Sequence, residues 1–170
     1  HVAVGGVLGL LAPGSDAVLA GALGGFLPDL DLLFGKHRRT LHFPWLYGVA
    51  ASGFYGLSAV LNGSGSVAVF FAAAGVHSLM DRFAGAELRS WDSDRWRSKA
   101  VYDHLRGGWL PPGRVIQGGS VRDLVLCSSC GASLAVLGGG AISRVVLVLA
   151  LLFGALYFAA LRRVADAVPD

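Results

Sequence analysis

The 170 residues suit one domain, but a mean hydropathy of +0.61 and 15% charged side chains are too apolar for an ordinary soluble one. The net charge of +3 comes with no repeat of basic and aromatic residues, so no nucleic-acid partner is expected. What remains is an all-α, polytopic membrane helix bundle, one integral membrane domain over 1–170. In chain order, apolar stretches at 2–12 and 17–27 are too short to span hydrocarbon and predict a tight or re-entrant N-terminal hairpin. Pro13-Gly14-Ser15-Asp16 separates them, and Ser15 or Asp16 is placed to cap the second helix. This start lacks the basic n-region of a cleavable signal peptide. Runs at 43–61, 66–81, 124–137 and 145–161 predict four long transmembrane helices. The first and last approach the roughly 20 residues that cross a bilayer core, and the middle two need flanking small residues to do so. The polar stretch at 83–120 predicts a cap over one end of the bundle, and Pro111-Pro112-Gly113 a turn before the chain re-enters the membrane.

Glycines, 25 in all, are scattered along the apolar runs, and Gly5–Gly9 and Gly21–Gly25 have the small-x-x-x-small spacing that lets helices approach closely. If the segments zigzag, every one of the 14 lysines and arginines except Arg144 falls on one face. That asymmetry predicts that this face is cytoplasmic, in a cell (inner) membrane, and all 4 tryptophans join it as an interfacial belt would. Membrane lipids are then the expected surroundings, and the basic face can attract anionic headgroups or a phosphorylated substrate.

The 5 histidines lie on the same face, beside aspartates that hydrocarbon would reject. His77-Ser-Leu-Met-Asp81 puts an imidazole and a carboxylate one helical turn apart, either as two ligands or as a ligand and its orienting partner. Leu27-Pro28-Asp29-Leu30-Asp31 follows an apolar helix, and the proline predicts a turn at Leu27. If the chain is extended there, Asp29 and Asp31 project to one side about 6.6 Å apart, which calls for a cation or a proton between them. His37-Arg38-Arg39-Thr40-Leu41-His42 precedes Pro44, which fits the first turn of a helix. His42, at the helix entrance, is the better ligand, while His37 is a ligand, a proton carrier or a solvated loop residue. Arg38 and Arg39 can hold an anionic substrate or set topology. His1, at the mouth of the first helix, can join the set through space. His104 reads as a surface imidazole or a general acid/base. Cys127 and Cys130 form a C-x-x-C inside an apolar helix with no second pair, which favours packing over zinc or redox chemistry.

Taken together, His1, Leu27-Pro28-Asp29-Leu30-Asp31, His37-Arg38 through His42, and His77 through Asp81 resemble the pattern of a family of multi-pass inner-membrane metal-dependent hydrolases, some of them labelled LexA-binding. The resemblance covers roughly residues 1–105. One departure is Leu41, where the family places the Thr that precedes its second His; Thr40 stands one position earlier. The resemblance implies metal-dependent hydrolysis and defines the substrate poorly.

The expected function is hydrolysis at the cytoplasmic leaflet, on a phosphoester or lipid headgroup. Asp29, Asp31, His42, His77 and Asp81, with His1 and His37 as further candidates, would hold one or two divalent ions. Mixed His and Asp ligation suits Zn²⁺ or Mn²⁺ better than Ca²⁺. Asp81 or His37 would accept a proton, and Arg38 and Arg39 would bind the substrate. Two rivals remain: a metal-binding transporter, which would place such groups near the midplane, and a non-catalytic scaffold stapled by a structural ion.

Overall fold

A computed structural model describes residues 1–84, 99–113, 115–116, 120–138 and 140–167. Helices dominate. They are α1 (Val2–Gly9), α2 (Ser15–Phe26), a 3₁₀ segment (Leu27–Leu30), α3 (Asp31–Phe34), α4 (Pro44–Leu61), α5 (Ser66–Ala84), α6 (Val121–Leu137) and α7 (Ala141–Ala167). Helix α5 is the hub, packed against α1, α2 and α4, while α6 and α7 pair with each other and close onto α1 from the far side.

Small residues make this packing possible. A Cβ on Gly5 or Gly21 would run into the backbone carbonyl of the other, so α1 and α2 cross backbone to backbone. The core is correspondingly fine-grained. Ala3, Ala17, Val18, Ala22, Ala73 and Ala74 are buried, whereas Val49, Leu57 and Val60 on α4 and Val148 and Leu152 on α7 face outward. The helices also alternate in direction. Ser66 Oγ donates to Asp16 at 2.5 Å and Ser64 Oγ at 3.2 Å, gathering the α1–α2 and α4–α5 turns at one end. His1, Asp29, His42, His77 and Asp81 meet at the other.

Four expectations need correcting. The all-α class holds, but four long transmembrane helices do not emerge by length and composition. Among the described residues one run, Asp16–Phe34, is long and apolar enough to cross a membrane. Helix α4 has 18 residues but is diluted by Gly, Ser and Tyr. Helix α5 carries His77, Asp81 and Arg82, and the apolar run of α7 can be followed among the described side chains over Ala141–Leu156. The second correction concerns the start of α2, whose N-cap is Gly14 at φ 103 with no side-chain cap hydrogen bond, because Asp16 is engaged by Ser64 and Ser66 instead. Third, Asp29 and Asp31 are not extended: Pro28 is accommodated in the first turn of the 3₁₀ segment, which continues into α3.

The last correction is an addition. Within the expected polar cap lies a two-stranded antiparallel hairpin, β1 (Val101–Asp103) and β2 (Gly108–Leu110), in the register Val101↔Leu110 and Tyr102↔Trp109. Asp103 Oδ1 accepts from the Leu105 and Arg106 amides and shapes the turn, and Gly107 supplies a φ of 66. The hairpin is tied to the histidine-bearing loop, since Tyr102 N donates to Arg38 O at 3.0 Å. Residues 85–98, with Trp91 and Trp96, together with Arg114 and 117–119, lie outside the described part of that cap.

Candidate metal centre

The centre is built outward from α5. One helical turn separates His77 from Asp81, so both face the same neighbours, and His77 Nε2 lies 3.8 Å from Asp81 Oδ2. At 2.6 Å, His77 Nδ1–H donates to the carbonyl of Gly25, on α2. That bond puts a proton on Nδ1 and leaves Nε2 as the ring nitrogen able to take a cation. Nε2 is buried, in a residue only 1% exposed, and makes no hydrogen bond among the described residues. It faces Asp29 Oδ1 at 3.3 Å. A buried acceptor left unsatisfied is costly, and a cation among carboxylates would satisfy it.

His42 arrives from the loop before α4. The Tyr47 hydroxyl pins that loop by donating to Leu41 O at 2.7 Å. His42 Nε2 approaches Asp81 Oδ2 at 3.0 Å and Nδ1 approaches Asp31 Oδ2 at 2.9 Å. Burial opposes protonation of this imidazole, but the hydrogen bond and charge of Asp81, joined by Asp31, outweigh it and hold its pKa above the usual 6.5. Asp29, His42, His77 and Asp81 each offer a ligand atom, all within 4.8 Å of one another.

Asp31 belongs to a second grouping, with His37 and His42. Its Oδ1 meets His37 Nδ1 at 2.9 Å, and its Oδ2 also takes the Leu41 amide at 3.4 Å. The two aspartates diverge because residues two apart on a 3₁₀ turn point to different sides, which separates a pair that an extended chain would have aligned. Asp31 thus holds two imidazoles, and with them makes a second group of donors that could hold an ion.

Of the remaining candidates, His1 stands at the rim, with Nε2 3.6 Å from Asp81 Oδ1 and its ring 3.9 Å from that of His77. Arg38 is buried, in the left-handed region at φ 62, with Nε 3.5 Å from Asp81 Oδ2. Arg39 instead stacks its guanidinium over the Tyr102 ring at 4.4 Å. Thr40 Oγ1 accepts from Lys36 N at 2.8 Å and holds the loop. His104 is exposed, its Nε2 donating to Arg39 O at 2.7 Å, and stands outside the cluster. Cys127 and Cys130 are half-buried free thiols packed against the core of α1, α2, α6 and α7.

No protein family, curated protein or solved structure matches this chain. The donor set itself is what fits a divalent ion: two imidazoles and two carboxylates converge, and one of the imidazole nitrogens makes no hydrogen bond among the described residues. Two contributors carried no signal in the sequence. Any residue has a carbonyl, so Gly25 was invisible as the partner of His77, and the burial of Arg38 against Asp81 depends on a contact between distant segments.

Proposed function

We propose that this chain is a multi-pass membrane protein and a metal-dependent hydrolase acting on a phosphoester, such as a lipid headgroup, at the cytoplasmic leaflet. The membrane reading is supported by the outward-facing Leu, Val and Phe side chains over a core of Ala and Gly, the pattern expected where lipid replaces water. At 1.5 Å per residue, α4 is about 27 Å long, near the thickness of hydrocarbon. The resemblance of its His and Asp motifs to those of inner-membrane metal-dependent hydrolases favours the same reading.

Asp29, His42, His77 and Asp81 would hold the ion, Zn²⁺ or Mn²⁺, which supplies Lewis acidity when bound. Asp31 keeps the Nδ1 proton of His42 in place and so aims Nε2 at the centre. Arg38, beside Asp81, brings positive charge to a place where a phosphoryl oxygen can be gripped. His37 donates from Nδ1 to Asp31, which leaves Nε2 on a side chain 27% exposed to take a proton from the reacting water.

The observation that carries this reading is the unsatisfied Nε2 of His77 among three other donors. Metal analysis of the purified protein, paired with a phosphoesterase screen, tests it. The expected result is bound Zn²⁺ or Mn²⁺ and turnover, both lost in His77→Ala; a metal-free parent protein after loading would overturn it. A structural ion is the second reading, favoured by four protein donors, the number that fills a tetrahedral zinc site. It predicts a loss of thermal stability without any turnover in the parent. Transport is disfavoured because the ionisable groups gather at one end of the helices, with Asp16 and, by the zigzag of the segments, Arg144 at the other.

A further inference from the structure

The four proposed ligands are not equally enclosed. His42, His77 and Asp81 are sealed, whereas the side chain of Asp29 is 35% exposed. Asp29 is the most open of the four, and exposed apolar residues flank it along the chain. Leu19, Leu23 and Phe26 on α2 are exposed at intervals of four and three residues, the spacing of one helical face. Asp29 follows three residues after Phe26, and exposed Leu33 follows four after Asp29. The apolar stripe therefore runs along α2 straight into the most open ligand. Among the described residues, the exposed face of α4 starts at Trp45 and Leu46, beside the sealed His42 rather than an open ligand.

At the same end the surroundings turn basic. Lys36 is exposed just beyond α3, and Arg38 sits behind Asp81. An anionic head near exposed Lys36, met by an ion held beside Asp29, and continuous with an apolar tail along Phe26, Leu23 and Leu19, suits both parts of this surface.

Resting on the hydrolase reading, we propose that the molecule this site receives is an acyl-chain-bearing phosphoester that slides in sideways along α2, its tail on the Leu19–Leu23–Phe26 stripe and its head at Asp29. The stripe acts as the selector for amphiphiles over soluble phosphoesters, since each buried methylene of a tail favours binding by a roughly constant increment.

The test uses the full chain in detergent, loaded with Zn²⁺, and phosphatidic acid with a photoreactive diazirine in its acyl chain. Cross-links should concentrate on residues 19–33 over the equally apolar 49–60 of α4 by about tenfold, and unlabelled phosphatidic acid but not glycerol phosphate should compete. Phe26→Ser with Leu33→Ser should lower that preference about tenfold while bound zinc is retained, because neither side chain is a ligand. Should that variant misfold, the parent map alone decides. Cross-links spread evenly over α2 and α4, or displaced as well by glycerol phosphate, would overturn the proposal. Cross-linking needs no turnover, so a protein that captures the lipid on the stripe without hydrolysing it keeps this inference and loses the hydrolase reading. Hydrolysis of soluble phosphoesters with even cross-linking does the reverse.

Discussion

At the scale of single residues, the centre divides its aspartates by task. Asp29 and Asp81 face His77, while Asp31 holds His37 and His42. Asp31→Asn should weaken Zn²⁺ binding about 10–100-fold, the usual loss when an orienting partner is removed, whereas His77→Ala should abolish stoichiometric binding. Titration of metal-free protein with Zn²⁺ against a competing chelator separates the two outcomes, and equal losses would return Asp31 to the ligand set. His42 adds a dependence on pH. Its pKa in the metal-free folded protein is raised above 6.5, so its contribution to stability is complete below 6.5 and is lost as pH rises through the folded value. Metal-free protein should therefore melt at a lower temperature on the alkaline side of that transition, and His42→Gln should flatten the difference.

At the scale of elements, glycine decides what can touch. Gly21→Leu should separate α1 from α2 and destabilise the protein by about 1–3 kcal/mol or more, since backbone rather than a flexible side chain stands in the way. Denaturation in detergent measures the loss, and Gly53→Leu, at a glycine with open space around it, serves as the neutral control. That close crossing was legible in the sequence from the Gly5–Gly9 and Gly21–Gly25 spacings. So were the entry of α4 at Pro44 and the His77–Asp81 face, because each is encoded within a few residues. The β1–β2 hairpin was not. Its strands are 3 residues each, too short for an alternating pattern to register, and its attachment to Arg38 joins segments far apart in the chain. The path of Asp29 and Asp31 failed for another reason. Proline excludes helix for the residue before it less strictly than the rule implies, and a 3₁₀ turn absorbed it.

At the scale of the whole molecule, the two ends differ in kind, one closed by Asp16 with Ser64 and Ser66 and the other by the histidine and aspartate cluster and the hairpin. The proposed orientation predicts that a cysteine at Ser64 is labelled by an impermeant maleimide in intact cells and one at Arg106, on the hairpin turn, only after permeabilisation; the opposite pattern would reverse the compartment. Gly25 ties that asymmetric whole together. A Cβ there would press on the backbone carbonyl of His1, while the carbonyl of Gly25 itself receives the Nδ1 proton of His77. One position thus serves as both the hinge pin of a helix crossing and the template for a tautomer. Anyone transplanting this centre into a designed scaffold would have to carry over the crossing with it, because copying the histidines and aspartates alone would leave the imidazole free to present its other nitrogen.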